Sequence, residues 1–221
     1  MKDALMLAQS IDEKASLDIL AEMVRHKSHS ETEGERVLAE RMVEIMSEMG
    51  LEAYPQPVEG ERINAIGIWR GTGGGKSLLF NGHLDTNPVS EGWTVDPWGG
   101  LVDDKFIYGI GVSNMKAGDA ASLSAVRTLI EQGRRLKGDV ILTYVVGELQ
   151  GGVGTYAAVQ AGTQADYFIN SEPTDLQALT MHADAFVFKI ELTGITRHMS
   201  KREEAVDAIR APLLAYHQLK T

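Results

Sequence analysis

This chain of 221 residues predicts an α/β fold built on a layered sheet. Three observations carry that expectation. Apolar or β-branched runs of strand length recur at residues 64–69, 77–80, 140–146 and 167–169. Among them lie stretches whose apolar residues repeat every three or four positions, the spacing of one helical face. Glycine and proline mark the joints. Strands that alternate with helices form layered sheets.

The elements follow in order. Leu17, Ile19, Leu20 and Met23 fall on one helical face. Val37, Leu38, Met42, Ile45 and Met46 fall on another, and that helix stops near Gly50, as helices commonly do at glycine. Residues 64–69 read as a strand, residues 71–75 as a flexible hairpin turn and residues 77–80 as the next strand. An irregular segment rich in Gly, Pro and Trp then runs over residues 87–111. Loops of that length in compact domains are usually functional. Residues 120–130 read as a helix ending at Gly133, and residues 140–146 as a strand buried on both faces. Residues 155–160 read as helical and residues 167–169 as a short strand.

The character changes near Met181. Phe186, Phe188, Ile190 and Leu192 alternate with Val187, Lys189 and Glu191, which predicts a strand with one apolar face, ended by Gly194. Residues 203–219 predict an amphipathic helix, kinked or divided at Pro212. A half-exposed strand and a helix read as the start of a second domain. The expected division is residues 1–180 and residues 181–221.

Composition excludes several classes. A hydrophobic content of 43% and a charged content of 24% are those of an ordinary globular protein. The formal net charge of -10 argues against nucleic acid or an anionic membrane surface as partner. The chain has no cysteine, which rules out disulfides, thiolate metal sites and a cysteine nucleophile, and fits a reducing compartment. Its start lacks the basic-then-apolar pattern of a secretory signal, and no apolar run approaches a membrane span. The expected localisation is cytoplasmic.

The chemistry concentrates at strand ends. Asn81-Gly82-His83-Leu84-Asp85-Thr86 follows the apolar run at residues 77–80. Residues two apart share a strand face, so His83 and Asp85 can act together. Asp85 can hold one ring nitrogen while the other faces a metal. Taken alone, such a histidine is more often a satisfied structural group. Four further clusters bear on it. Gly111-Val112-Ser113-Asn114-Met115-Lys116 sets Asn114 just before a helix, where it would also serve as a cap. Val146-Gly147-Glu148-Leu149-Gln150-Gly151 brings a carboxylate off a buried strand into a glycine turn, the edge where α/β sheets build their sites. Asn170-Ser171-Glu172-Pro173 repeats that arrangement, and Thr196-Arg197-His198-Met199 sets a histidine in a turn of the second domain. A fifth motif is rejected. Gly71-Thr72-Gly73-Gly74-Gly75-Lys76-Ser77 ends like a phosphate-binding loop, but it has Arg70 where the pattern needs glycine, and it leads into a strand rather than a helix.

In this order and spacing, together with Trp93, Asp96-Pro97-Trp98 and Tyr108-Gly109, these residues resemble the zinc-dependent amidohydrolase and exopeptidase family of acetylornithine deacetylase, succinyl-diaminopimelate desuccinylase, aminoacylase and carboxypeptidase G. The resemblance runs from about Ser16 to the C-terminus. It implies a layered mixed sheet with helices on both faces, carrying the metal site, and an inserted α+β lid domain used for dimerisation. Residues 1–180 would then be the N-terminal part of the catalytic domain and residues 181–221 the beginning of the lid. It implies His83 and Glu172 as ligands of the first zinc, Asp85 as the carboxylate that orients His83, and Glu148 as general base. It implies His198 as the lid histidine that stabilises an oxyanion. The implied substrates are N-acyl amino acids or small peptides, cleaved at an amide bond, and the implied assembly is a homodimer through the lid.

Three departures from the family's pattern matter. Asn114 stands where the family has its bridging aspartate, and Leu149 stands where a second-zinc carboxylate follows the general base. The family's last zinc histidine lies after the lid, whereas this chain ends inside it and reads as a fragment or truncated product. The expectation is therefore one zinc or cobalt ion per chain, on His83 and Glu172 with Asn114 or water. The alternative reading is a catalytically impaired or non-catalytic relative that binds an acylated amino acid or a protein partner.

Overall fold

A computed structural model describes residues 2–181 and 191–209. The chain divides into two compact units, Met1–Gln177 and Ala178–Thr221.

The first unit opens with three helices, α1 (Lys2–Gln9), α2 (Glu13–Arg25) and α3 (Glu33–Glu48). Asp12 caps α2 by accepting from the Ala15 N–H at 2.9 Å. Ile19, Leu20, Met23 and Val24 of α2 and Leu38, Met42, Ile45 and Met46 of α3 are buried, as their spacing predicts. Seven strands follow, interleaved with two more helices. They are β1 (Glu52–Pro57), β2 (Ile63–Trp69), β3 (Leu78–His83), β4 (Leu101–Val102), β5 (Ile107–Tyr108), β6 (Val140–Val145) and β7 (Tyr167–Asn170). The helix α4 (Ala117–Glu131) precedes β6, and α5 (Val153–Gln160) precedes β7.

Among the described residues, five strands form a mixed sheet in the order β1-β2-β6-β3-β7. β2 runs antiparallel to both of its neighbours, β1 and β6, and β6, β3 and β7 run parallel. Every residue of β6 is buried, because helices cover both of its faces. Val140, Leu142 and Tyr144 join the main core with residues of α2, α3 and α4, while Thr143 faces a small cavity beside Ala158 of α5. The expected layered mixed sheet with helices on both faces is what the chain forms.

Two local expectations change. Residues 71–75 are not a hairpin turn, since β2 and β3 each pair with β6 and not with one another. The loop crosses the edge of β6, donating from Thr72 and Gly73 to the carbonyl oxygens of Leu136 and Lys137 at 2.8 and 2.9 Å. The strand β1 has no counterpart in the sequence reading. It holds Pro55 and Pro57, and as an edge strand it tolerates a missing N–H on its outer side.

The second unit is described in part. Ile195 and Val206 exchange backbone hydrogen bonds at 3.0 and 3.1 Å, on either side of a 3-10 turn at Met199–Glu204. The helix predicted from residue 203 does not form over its described part, because Ala205 is extended and β-branched Val206 pairs with Ile195. Its remainder, residues 210–219, and residues 185–190 of the predicted strand lie outside the described residues.

The sheet edge at β7 presents Tyr167, Phe168 and Ile169 to solvent at 62%, 61% and 44% exposure. Apolar strand edges promote association. This chain should therefore self-associate with rising concentration in light scattering, and Phe168→Lys should reduce that. A monodisperse monomer at high concentration would contradict the expectation.

Candidate metal centre

Three parallel strands bring the chemistry together. β3 ends at His83, opposite Val145 of β6. β7 pairs with β3 up to Asn81 opposite Asn170, so Glu172, two residues on, comes level with His83. Glu148 follows β6 by way of Gly147, whose backbone is left-handed at φ 71°. A Cβ on Gly147 would lie 2.4 Å from Nη2 of Arg62, so glycine is needed on both counts.

The His83 ring is 2% exposed. Its Nε2 lies 3.0 Å from Asn114 Oδ1, 3.5 Å from Glu172 Oε1 and 3.9 Å from Glu148 Oε2. Its Nδ1 donates to the backbone carbonyl oxygen of Asp85 at 2.9 Å. The Asp85 carboxylate is farther away, at 3.6 Å. It accepts instead from Ser30 Oγ at 2.8 Å and from the backbone N–H groups of Glu148 and Leu149 at 3.1 and 3.2 Å. Asp85 thus fixes the turn that carries Glu148 as well as flanking the imidazole.

The charges follow from this packing. Burial opposes protonation of His83, but Asp85, Asn114 and Glu172 outweigh it and raise the imidazole to about 9. Burial alone would raise Asp85, yet the neighbouring His83 and the hydrogen bonds from Ser30 and the Glu148 N–H hold it at about 2. Glu172 is raised, chiefly by burial.

Asn114 is not a helix cap. It sits in an irregular turn at Val112–Lys116, with extended φ and ψ of -121° and 97°, and α4 begins only at Ala117. The Asn114–Met115 peptide is cis. Leu149 and Asn114 share the lining of a cavity of about 90 Å³ with His83 and Asp85. His198 belongs to the second unit, where its Nδ1 caps the 3-10 turn by accepting from the Ser200 N–H at 3.3 Å.

Ligands on bonds of about 2.1 Å in a tetrahedral shell stand about 3.4 Å apart, and Asn114 Oδ1 and Glu172 Oε1 lie at 3.0 and 3.5 Å from His83 Nε2. Among the described residues, no group of three or more His, Cys, Asp or Glu side chains could hold a metal ion. The third donor here is an amide, which carries no charge, and Leu149 offers none.

Several contributors went unread in the sequence. Ser30 anchors Asp85. Glu35, fully buried, pairs with Arg62 at 2.8 Å, and Arg62 also donates to Gln150 at 3.2 Å in the Glu148 turn. Removing one partner of a buried pair strands the other charge. Arg62→Ala should cost about 3 kcal/mol of stability in urea unfolding, and a loss too small to measure would show that Glu35 finds other compensation. Lys116 and Asp119 are also buried. They lie three apart, on the same helical stripe as Ala120 and Leu123, and charged residues on a buried stripe were the signal available.

Comparisons with known proteins identify the family. Residues 79–218 match peptidase family M20/M25/M40, and the chain belongs to that family. It is 30% identical over 212 residues to succinyl-diaminopimelate desuccinylase 2 of Ruegeria sp., covering 88% of this chain and 51% of that protein. It is 32% identical over 161 residues to acetylornithine deacetylase of Proteus mirabilis, covering 72% and 41%. The fold matches an M20 family metallo-carboxypeptidase from Sulfolobus solfataricus with a TM-score of 0.65 at 26% identity, covering 72% of this chain and 37% of that one. The chain spans about half the length, or less, of these relatives. The family is one of metal-dependent hydrolases.

Proposed function

We propose that this chain provides the cation-binding half of a hydrolase that cleaves the amide bond of N-acyl amino acids or small peptides. The observation that carries this is the set of oxygens around His83 Nε2, with Asn114 and Glu172 within 3.5 Å and Glu148 just beyond. The names of the desuccinylase and deacetylase relatives support the substrate class. His83, Glu172 and Asn114 would hold one zinc or cobalt ion. A bound divalent cation polarises a carbonyl and lets a bound water ionise near pH 7.

The chain's own residues supply the rest. The Glu148 side chain is 47% exposed, at the rim of a cavity of about 470 Å³ that also touches His83, Glu172, Tyr156 and Phe168. It can take a proton from the attacking water and return it to the departing amine. Asp85 keeps His83 and the Glu148 turn in register. His198, by the family pattern, would offset the oxyanion, a contribution often worth about 3 kcal/mol. The lid would mediate a homodimer. Among the described residues no helix is long and apolar enough to cross a membrane, and we place the protein in the cytoplasm.

A non-catalytic binding role is the second reading, favoured by neutral Asn114 and by Leu149. Release of free amine from N-acetyl and N-succinyl amino acids, with and without added zinc or cobalt, separates the two, measured on this chain and on a complete family member that carries this sequence as its N-terminal part. Cation-dependent release is expected. Tight binding of the same compounds without release would favour the binder.

A further inference from the structure

Two cavities meet at His83. The larger, of about 470 Å³, has Glu148 and Glu172 in its wall. The smaller, of about 90 Å³, has Asn114, Asp85, Thr86, Ile110 and Leu149 in its wall. Thr86 is 2% exposed. Its backbone is committed, since the N–H donates to the Ser28 carbonyl at 2.9 Å and the carbonyl accepts from the Ser30 N–H at 3.1 Å. Its methyl group packs on Gly111, where a Cβ would lie 2.5 Å from Cγ2. Its hydroxyl is buried and has no hydrogen-bond partner among the described residues. A buried hydroxyl without a partner costs stability, and one in a cavity wall can be satisfied by what enters the cavity.

The two cavities divide a scissile amide between them. Glu148 can return a proton only to an amine within its reach, which sets the amine half of the substrate in the larger cavity. The acyl half, with its carbonyl beside His83 and Asn114, then falls to the smaller one. There Leu149 and Ile110 form an apolar wall, and Thr86 offers one hydroxyl. A volume of about 90 Å³ is the share of about three waters in the liquid, at about 30 Å³ each. An acetyl group matches that in non-hydrogen atoms, and a succinyl group has more than twice as many. Succinyl would also bring a second carboxylate beside Asp85, which is fully buried, and a buried charge without a partner is costly.

We propose that the smaller cavity is the acyl subsite, and that it takes a short neutral acyl group, formyl or acetyl, in preference to succinyl. This rests on the reading of the site as that of an amide hydrolase.

The test follows binding to the zinc-loaded 221-residue chain by NMR titration. The probes are N-acetyl-L-alanine and N-succinyl-L-alanine, which differ only in the acyl group. The acetyl compound should bind at least about tenfold more tightly. Leu149→Ala should enlarge the cavity and bring the two affinities together, and Leu149→Trp should fill it and remove acetyl binding. Thr86→Val keeps the shape and deletes the hydroxyl, and should weaken acetyl binding about three- to tenfold. Zinc affinity, measured alongside by calorimetry, should hold in all of these variants. Equal affinities for the two compounds in the wild type, with zinc bound, would overturn the acyl subsite alone. Acetyl binding that survives Leu149→Trp would do the same. If zinc binds and neither compound does, the hydrolase reading falls and this proposal with it.

Discussion

His83→Ala should abolish cation uptake while leaving the fold in place. The ring closes no core cluster. It ends β3, and its partners are polar, with the Asp85 carbonyl on one nitrogen and Asn114 and Glu172 near the other. Its loss removes the one nitrogen donor of the set, and two oxygens of which one is neutral cannot hold a divalent ion against water. Equilibrium dialysis with zinc should show at least a hundredfold loss of affinity, on the order expected when a ligand rather than a supporting group is removed. Thermal melts without zinc should match the wild type within a few degrees. A packed structural histidine would give the reverse, with a fallen melting temperature and unchanged zinc binding. Because a ligating imidazole must be neutral and this one titrates at about 9, uptake should release a proton and tighten as pH rises from 6 towards 9.

Glu148→Gln, made in a complete family member that carries this sequence as its N-terminal part, should lower turnover about 10²- to 10⁴-fold with ligand binding retained. The substitution keeps size and hydrogen bonding but deletes the proton acceptor. It should also leave the turn intact, because that turn is held by backbone N–H groups on Asp85, not by the Glu148 side chain. Kinetics with an N-acyl amino acid decide the matter. If the variant turns over normally, Glu148 is a bystander and the base lies elsewhere.

Much of the site was legible because strand ends are. An apolar run that breaks into His-x-Asp, or into a lone glutamate beside glycine, marks the place where a parallel sheet opens to solvent. His83, Glu148 and Glu172 all announce themselves in that way. The layered α/β class followed from the same alternation. What escaped was long-range. Nothing around Ser30, Glu35 or Arg62 shows that they meet Asp85 and the Glu148 turn, since these contacts join residues far apart in the chain. The carbonyl of Asp85, rather than its carboxylate, takes the His83 proton because the carboxylate is drawn to two N–H groups that only folding brings near. Val206 shows the opposite difficulty. Its place in a helical pattern is real, but pairing with Ile195 prevails, and a periodicity alone does not reveal that competition.

The central claim is a single cation centre on His83, Asn114 and Glu172. Elemental analysis of the chain after saturation with zinc and exhaustive dialysis tests it most directly. The account predicts no more than one ion per chain, falling to none in His83→Ala. Two tightly held ions per chain would contradict it, since Leu149 offers no ligand and Asn114 no charge to hold a second.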